Sequence, residues 1–129
     1  VSMAASTVSA VPFVREKLLD LQRGIAASSC VILDGRDIGT VVLPAAEFKY
    51  FLTASAEIRA KRRYEELKAK GESVTFESVL DDVNTRDKND STRAVAPLKK
   101  AFDATEINSD GMTAEDVAKF IVDGVKKDL

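Results

Sequence analysis

Arginines and aspartates gathered at three places along the chain are the residues whose types and spacing could do chemistry. The first group is Asp34-Gly35-Arg36-Asp37-Ile38-Gly39-Thr40. It closes the apolar run at 29–34, so charges sit where a buried strand is expected to end. Gly35 and Gly39 permit a tight turn or a close backbone approach. Arg36 offers a rigid fork of donors suited to a phosphate or a carboxylate. A polar turn in which Arg36 and Asp37 simply pair is the competing reading. The second group extends a helical stripe: Phe76, Val79 and Val83 step by three and four, and Arg86, Asp90 and Arg93 continue it in register. An inward-facing stripe that turns charged needs partners or a ligand, because buried unpaired charge is costly. The alternative is a frayed helix end with a solvated Arg86–Asp90 pair. The third group is Arg59, Arg62 and Arg63, expected together on one side of a helix whose inward face is Ala56, Ala60, Tyr64 and Leu67. Arg59 and Arg63, four apart, should repel weakly, and Glu65 and Glu66 can offset this by pairing with Lys61 and Arg62. The group reads either as a solvated basic face or as a cluster facing phosphate.

Arginines with Asp37 and Asp90, and no nucleophile beside a base, suit a site that positions phosphates and a hydrogen-bonding base. Phosphoryl transfer asks mainly for positioning and charge neutralisation, which arginines supply. The 129 residues contain no histidine, which excludes histidine triads, histidine metal sites and histidine acid–base steps. The one cysteine, Cys30, lies in the apolar run and reads as a small buried hydrophobe; no internal disulfide is possible, which fits a reducing compartment. A net charge of −2 gives no general attraction to nucleic acid or anionic membrane. No apolar run approaches the roughly 20 residues of a membrane span, and Val1–Ser6 lacks the pattern of a signal peptide. The first residue is Val1 rather than Met, which reads as a processed or truncated piece.

Alternating strands and helices must hold these groups. Helices are expected at 12–26 (Pro12 first, then Val14, Leu18, Leu21 and Ile25), 55–70 (capped by Ser55, stopped by Gly71), 76–90 (capped by Thr75) and 114–127 (capped by Thr113, with Asp116 completing a capping box). Strands are expected at 29–34, covered on both faces, at 48–53 and, more weakly, at 104–108. The order predicts a layered α/β fold with a parallel sheet and ligands beyond the carboxyl ends of its strands.

Three segments carry a resemblance to the bacterial cytidylate kinases. They are Ile32-Leu33-Asp34-Gly35-Arg36-Asp37-Ile38-Gly39-Thr40-Val41-Val42-Leu43-Pro44, Arg86-Asp87-Lys88-Asn89-Asp90-Ser91-Thr92-Arg93-Ala94-Val95-Ala96-Pro97-Leu98, and Ala5-Ser6-Thr7-Val8-Ser9-Ala10-Val11-Pro12-Phe13-Val14-Arg15-Glu16. The likeness covers essentially the whole chain. It implies transfer of the γ-phosphate of ATP to CMP or dCMP, with magnesium. It implies that Ser6, Arg15 and Asp37 recognise cytosine, that Arg86 and Asp90 hold the sugar, and that Arg36 and Arg93 grip phosphates. Arg59, Arg62 and Arg63 fall in the segment resembling the mobile lid over ATP and complete the implied catalytic set; no metal ligand is implied within the chain. Ser6 and Arg15 emerge only from the resemblance.

The chain departs from the family at one point. The family opens with a strand and a G-x-x-x-x-G-K-[ST] phosphate loop. The glycines here are Gly24, Gly35, Gly39, Gly71, Gly111 and Gly124, and none is followed by Lys-Ser/Thr. The expected fold is therefore a P-loop-kinase-type three-layer α/β/α arrangement, incomplete, with its first strand and phosphate loop missing. Residues 1–27 read as a remnant of the monophosphate-binding region and 28–129 as the C-terminal part of the kinase core, with the lid-like segment near 55–70. Magnesium would be held mainly by ATP and the absent loop. The expected partners are CMP or dCMP and ATP, without nucleic acid or membrane, in the cytoplasm. The full enzyme is expected to be a monomer. The chain alone is expected to be inactive and, with an unpaired sheet edge and exposed apolar face, to self-associate. Competing readings are a non-catalytic nucleotide-binding module and a kinase of another small acceptor on the same fold.

Overall fold

A computed structural model describes residues 2–94 and 97–129, with the side chains of Ser2, Met3 and Ser6 outside the described set. Caps and breakers set the helix limits. Helix α1 is Ser2–Ser9, and α2, Pro12–Ser28, begins at the proline whose fixed φ suits a first helical turn. Helix α3, Ala56–Ala69, starts where the Ser55 hydroxyl accepts from the Ile58 N–H. It ends in a Schellman turn: the Glu72 N–H donates to Leu67 O (3.0 Å) and the Gly71 N–H to Lys68 O (3.0 Å). Gly71 sits at φ +79, a conformation only glycine adopts without strain. Helix α4, Phe76–Thr92, is capped by Thr75, and α5, Ala114–Asp128, by the Thr113–Asp116 capping box.

Strands β1, Tyr50–Thr53, and β2, Thr105–Asn108, pair in parallel, Tyr50 opposite Thr105 and Thr53 opposite Asn108. Parallel strands need a long crossover, supplied here by α3 and α4. The Ser109 N–H extends the ladder to Thr53 O at 2.8 Å. Helix α5 reaches the sheet through Tyr50, whose hydroxyl donates to Ile121 O at 3.5 Å. The α/β class with a parallel sheet is as expected. The strand expected at 29–34 is not formed: 30–34 is irregular, Ile32 is fully exposed, and Cys30 is exposed rather than buried. A strand exists only through a ladder to a neighbour, and among the described residues none pairs with this run.

Buried apolar residues among those described are Val42, Ala60, Val79, Ala101 and Ile107. Ala60 and Val79 form the α3–α4 seam, extended by an edge-on contact of Tyr64 and Phe76 at 6.2 Å. The inward face expected for α3 is borne out, with Ala60 buried and Ala56, Tyr64 and Leu67 half-buried. The α2 stripe is largely uncovered, with Leu18, Leu21 and Ile25 exposed. Among the described residues, no helix is long and apolar enough to cross a membrane.

Candidate functional site

The segment after Gly35 folds into a single π-helical turn, Ile38–Val42. Its N–H groups reach back five residues: Val42 to Asp37 O (3.2 Å) and Leu43 to Ile38 O (2.7 Å). Such turns are uncommon and are frequent at functional sites. Gly35 serves close approach, since a Cβ there would meet the Ile38 side chain at 3.0 Å. Helix α2 grips this turn at both ends. The Arg15 guanidinium donates to the Asp37 carboxylate, which is only 8% exposed. Arg15 thus lies half-buried against the turn. Two helical turns further on, Arg23 donates from Nε to Val42 O (2.9 Å) and from Nη2 to Val41 O (2.7 Å). Carbonyls at the end of a short helical turn lack internal partners, and a cationic fork satisfies two at once.

Arg23 belongs to none of the three charged groups. The signal for it was its spacing of eight from Arg15, which places both on one face of α2. Arg23→Met is expected to lower stability by about 1 kcal/mol, the worth of a partly exposed charge-assisted contact. Arg23→Lys, with no fork, should recover no more than half of the loss. Urea unfolding midpoints check this; unchanged midpoints for Arg23→Met would remove the clamp.

The end of α4 meets the loop from the other side. Asp90 is buried at 8% exposure and accepts from Arg36 Nε at 3.3 Å, while Arg86 Nε lies 3.9 Å from the same oxygen. The Asp90 main-chain carbonyl also accepts from the Leu98 N–H at 2.8 Å. The charged stripe of α4 therefore turns inward at Asp90, and Arg36 and Asp37 do not pair with each other. Arg15, Arg36, Asp37 and Arg93 line one cleft of about 190 Å³ between α2, the loop and the end of α4. Arg86 and Asp90 join this group through Arg36. Ser6 lies in α1 by its backbone, with its side chain outside the described residues.

The three arginines of α3 do not act together. Arg59 crosses to α4, donating from Nη1 to Asp87 Oδ1 (2.7 Å) and from Nη2 to Oδ2 (2.5 Å), and from Nε to Ala54 O (3.0 Å). Arg62 turns to the end of β2, donating to Ser109 Oγ (3.2 Å) and Ser109 O (2.8 Å). Arg63 pairs at the surface with Glu66, which also accepts from Lys70; the expected pairing of Glu66 with Arg62 is not formed. A helix turns 100° per residue, so arginines at 59, 62 and 63 reach different neighbours. The Arg59 bond holds the Asp87 carboxyl below its usual range, helped by the charges of Arg86 and Arg36 and opposed by burial. A depressed carboxyl pKa stabilises the fold above the unfolded value of about 3.9 and loses that contribution as pH falls through the folded value.

This arrangement can hold an anion among forked donors while aspartates fix the forks in place. Among the described residues, no group of three or more carboxylate, thiol or imidazole ligands could hold a metal ion.

A family model described as cytidylate kinase matches residues 1–127. A cytidylate kinase of Caldicellulosiruptor saccharolyticus is 53% identical over 123 residues, covering 95% of this chain and 54% of its own length. One of Fervidobacterium nodosum is 50% identical, covering 97% of this chain and 57% of its own length. One of Pseudomonas entomophila is 51% identical, covering 94% and 53%. The chain thus spans about half the length of the curated relatives it matches.

Proposed function

Because the chain belongs to the cytidylate kinase family, we propose that it forms the acceptor-gripping part of an enzyme that moves the γ-phosphate of ATP to CMP or dCMP. The observation that carries this reading is the convergence of Arg15–Asp37, Arg36–Asp90 and Arg93 around one cleft. Arg15 and Asp37, with Ser6, recognise the cytosine edge; Arg86 and Asp90 hold the sugar; Arg36 and Arg93 hold phosphate oxygens. An acceptor phosphate oxygen attacks the γ-phosphorus as the bond to the bridging oxygen breaks. The protein neutralises charge and aligns the two groups rather than forming a covalent intermediate. Magnesium enters with ATP. Residues 1–27 contribute to the monophosphate region and 28–129 to the kinase core. Of the three α3 arginines, Arg59 is the one assigned to phosphate, since its fork is fixed by Asp87 on the helix that carries Arg86 and Asp90, with two of its N–H groups left over.

The setting in this reading is cytoplasmic, with small-molecule partners only and a monomeric whole enzyme. The chain alone is expected to turn over little ATP. Its exposed Leu21, Ile32 and Phe102 support self-association. A thermal-shift titration with CMP, UMP and ATP tests the acceptor site. CMP is expected to raise the melting temperature, and Asp37→Ala to abolish that rise. Equal stabilisation of the wild type and Asp37→Ala by CMP would overturn the assignment.

A further inference from the structure

Asp87 lies outside the charged stripe of α4, one residue from Arg86 and one turn before Asp90. It nonetheless meets arginine charge from three elements: Arg59 of α3, Arg86 of its own helix and Arg36 of the loop. We propose that Asp87 is a positioning residue, which orients the Arg59 guanidinium toward the phosphates of the donor nucleotide at the end of α4 that carries Arg86 and Asp90. The proposal rests on the kinase reading above.

The pairing is fork to fork, Nη1 to Oδ1 and Nη2 to Oδ2, with Nε tied to Ala54 O. Three of the five guanidinium N–H groups are thereby engaged and the plane of the group is fixed. The other two N–H groups then have set directions, which is what recognition of a polyphosphate requires of an otherwise flexible side chain. A role in gluing α3 to α4 is a poorer account. That seam is already closed by Ala60 (0% exposed) and Val79 (3%), whereas the Arg59 and Asp87 side chains sit at its rim, each 38% exposed. Rim ion pairs add little to stability.

The test uses the whole protein and two readouts, steady-state kinetics and calorimetric binding of ATP without acceptor. Asp87→Asn keeps the shape, removes the charge and presents an amide N–H₂ to one Nη. It is expected to weaken ATP binding and raise the KM for ATP by about tenfold, the loss of one charge-assisted hydrogen bond. The KM for CMP should change less than about twofold, and thermal stability little. Asp87→Glu, which keeps the charge, should recover part of the loss. Arg59→Met combined with Asp87→Asn should be no worse than Arg59→Met alone, because Asp87 acts through Arg59. Unchanged ATP affinity in Asp87→Asn, or additive losses in the double variant, would overturn the proposal. A wild type that binds ATP but does not phosphorylate CMP would defeat the kinase reading, while the binding arm still decides the role of Asp87.

Discussion

Asp90→Ala in the whole protein is expected to reduce kcat/KM for CMP by about 100-fold, within the range for truncating one partner of a buried hydrogen-bonded charge pair. Asp90 is 8% exposed and faces Arg36 at 3.3 Å and Arg86 at 3.9 Å. Without it, two guanidinium groups face each other with nothing between them and separate. The phosphate fork and the proposed sugar contact would then be lost together. Stability should fall by only about 1–2 kcal/mol, because both arginines are about half exposed and regain water. Asp90→Asn should fall between the two, since an amide accepts one bond but leaves the positive charge uncompensated. Kinetics and urea unfolding on the same preparations check this. A loss of stability with an unchanged kcat/KM for CMP would reduce Asp90 to a structural pair.

The second large effect is structural. Val79→Asp is expected to unfold the chain, at a cost of about 4 kcal/mol or more for burying an unpaired charge. Val79 is 3% exposed against Ala60 at 0%, and the apolar core has few other members among the described residues. Val79→Ala should cost about 2 kcal/mol, mostly as a cavity. Far-UV circular dichroism with denaturant titration separates the two. A folded Val79→Asp would mean that the α3–α4 seam opens to water, and that Arg59 is not held against α4 by packing.

Four of the five helices among the described residues were legible because their signals are local, whereas α1, Ser2–Ser9, was not expected. Ser55, Thr75 and Thr113 each accept the expected capping bond, and Gly71 stops α3 through its own backbone conformation. The inward turn of α4 at Asp90 was legible for the same reason, since helical register places a residue whatever surrounds it. The run at 29–34 misled because apolar sequence announces burial, whereas a strand requires a partner that the run itself does not name. The dispersal of Arg59, Arg62 and Arg63 was hidden as well. Arg59 and Arg62 have partners distant in sequence, Asp87 and Ser109, and periodicity carries nothing about the identity of distant neighbours. Arg23 and Asp87 escaped because each acts on another residue's position rather than through a cluster of its own.

The grip of α2 on the π-helical turn has a consequence for chain length. Arg15 and Arg23 are eight residues apart, about 12 Å along the helix axis, and from those two positions they reach Asp37 and the carbonyls of Val41 and Val42. One residue inserted or deleted between them would swing one arginine by about 100° around the helix, and only one end of the turn could then be held. Helix α2 is in this sense a ruler. Side-chain identity can drift along its outer face, but the number of residues between its two marks cannot change without moving the charges it measures out.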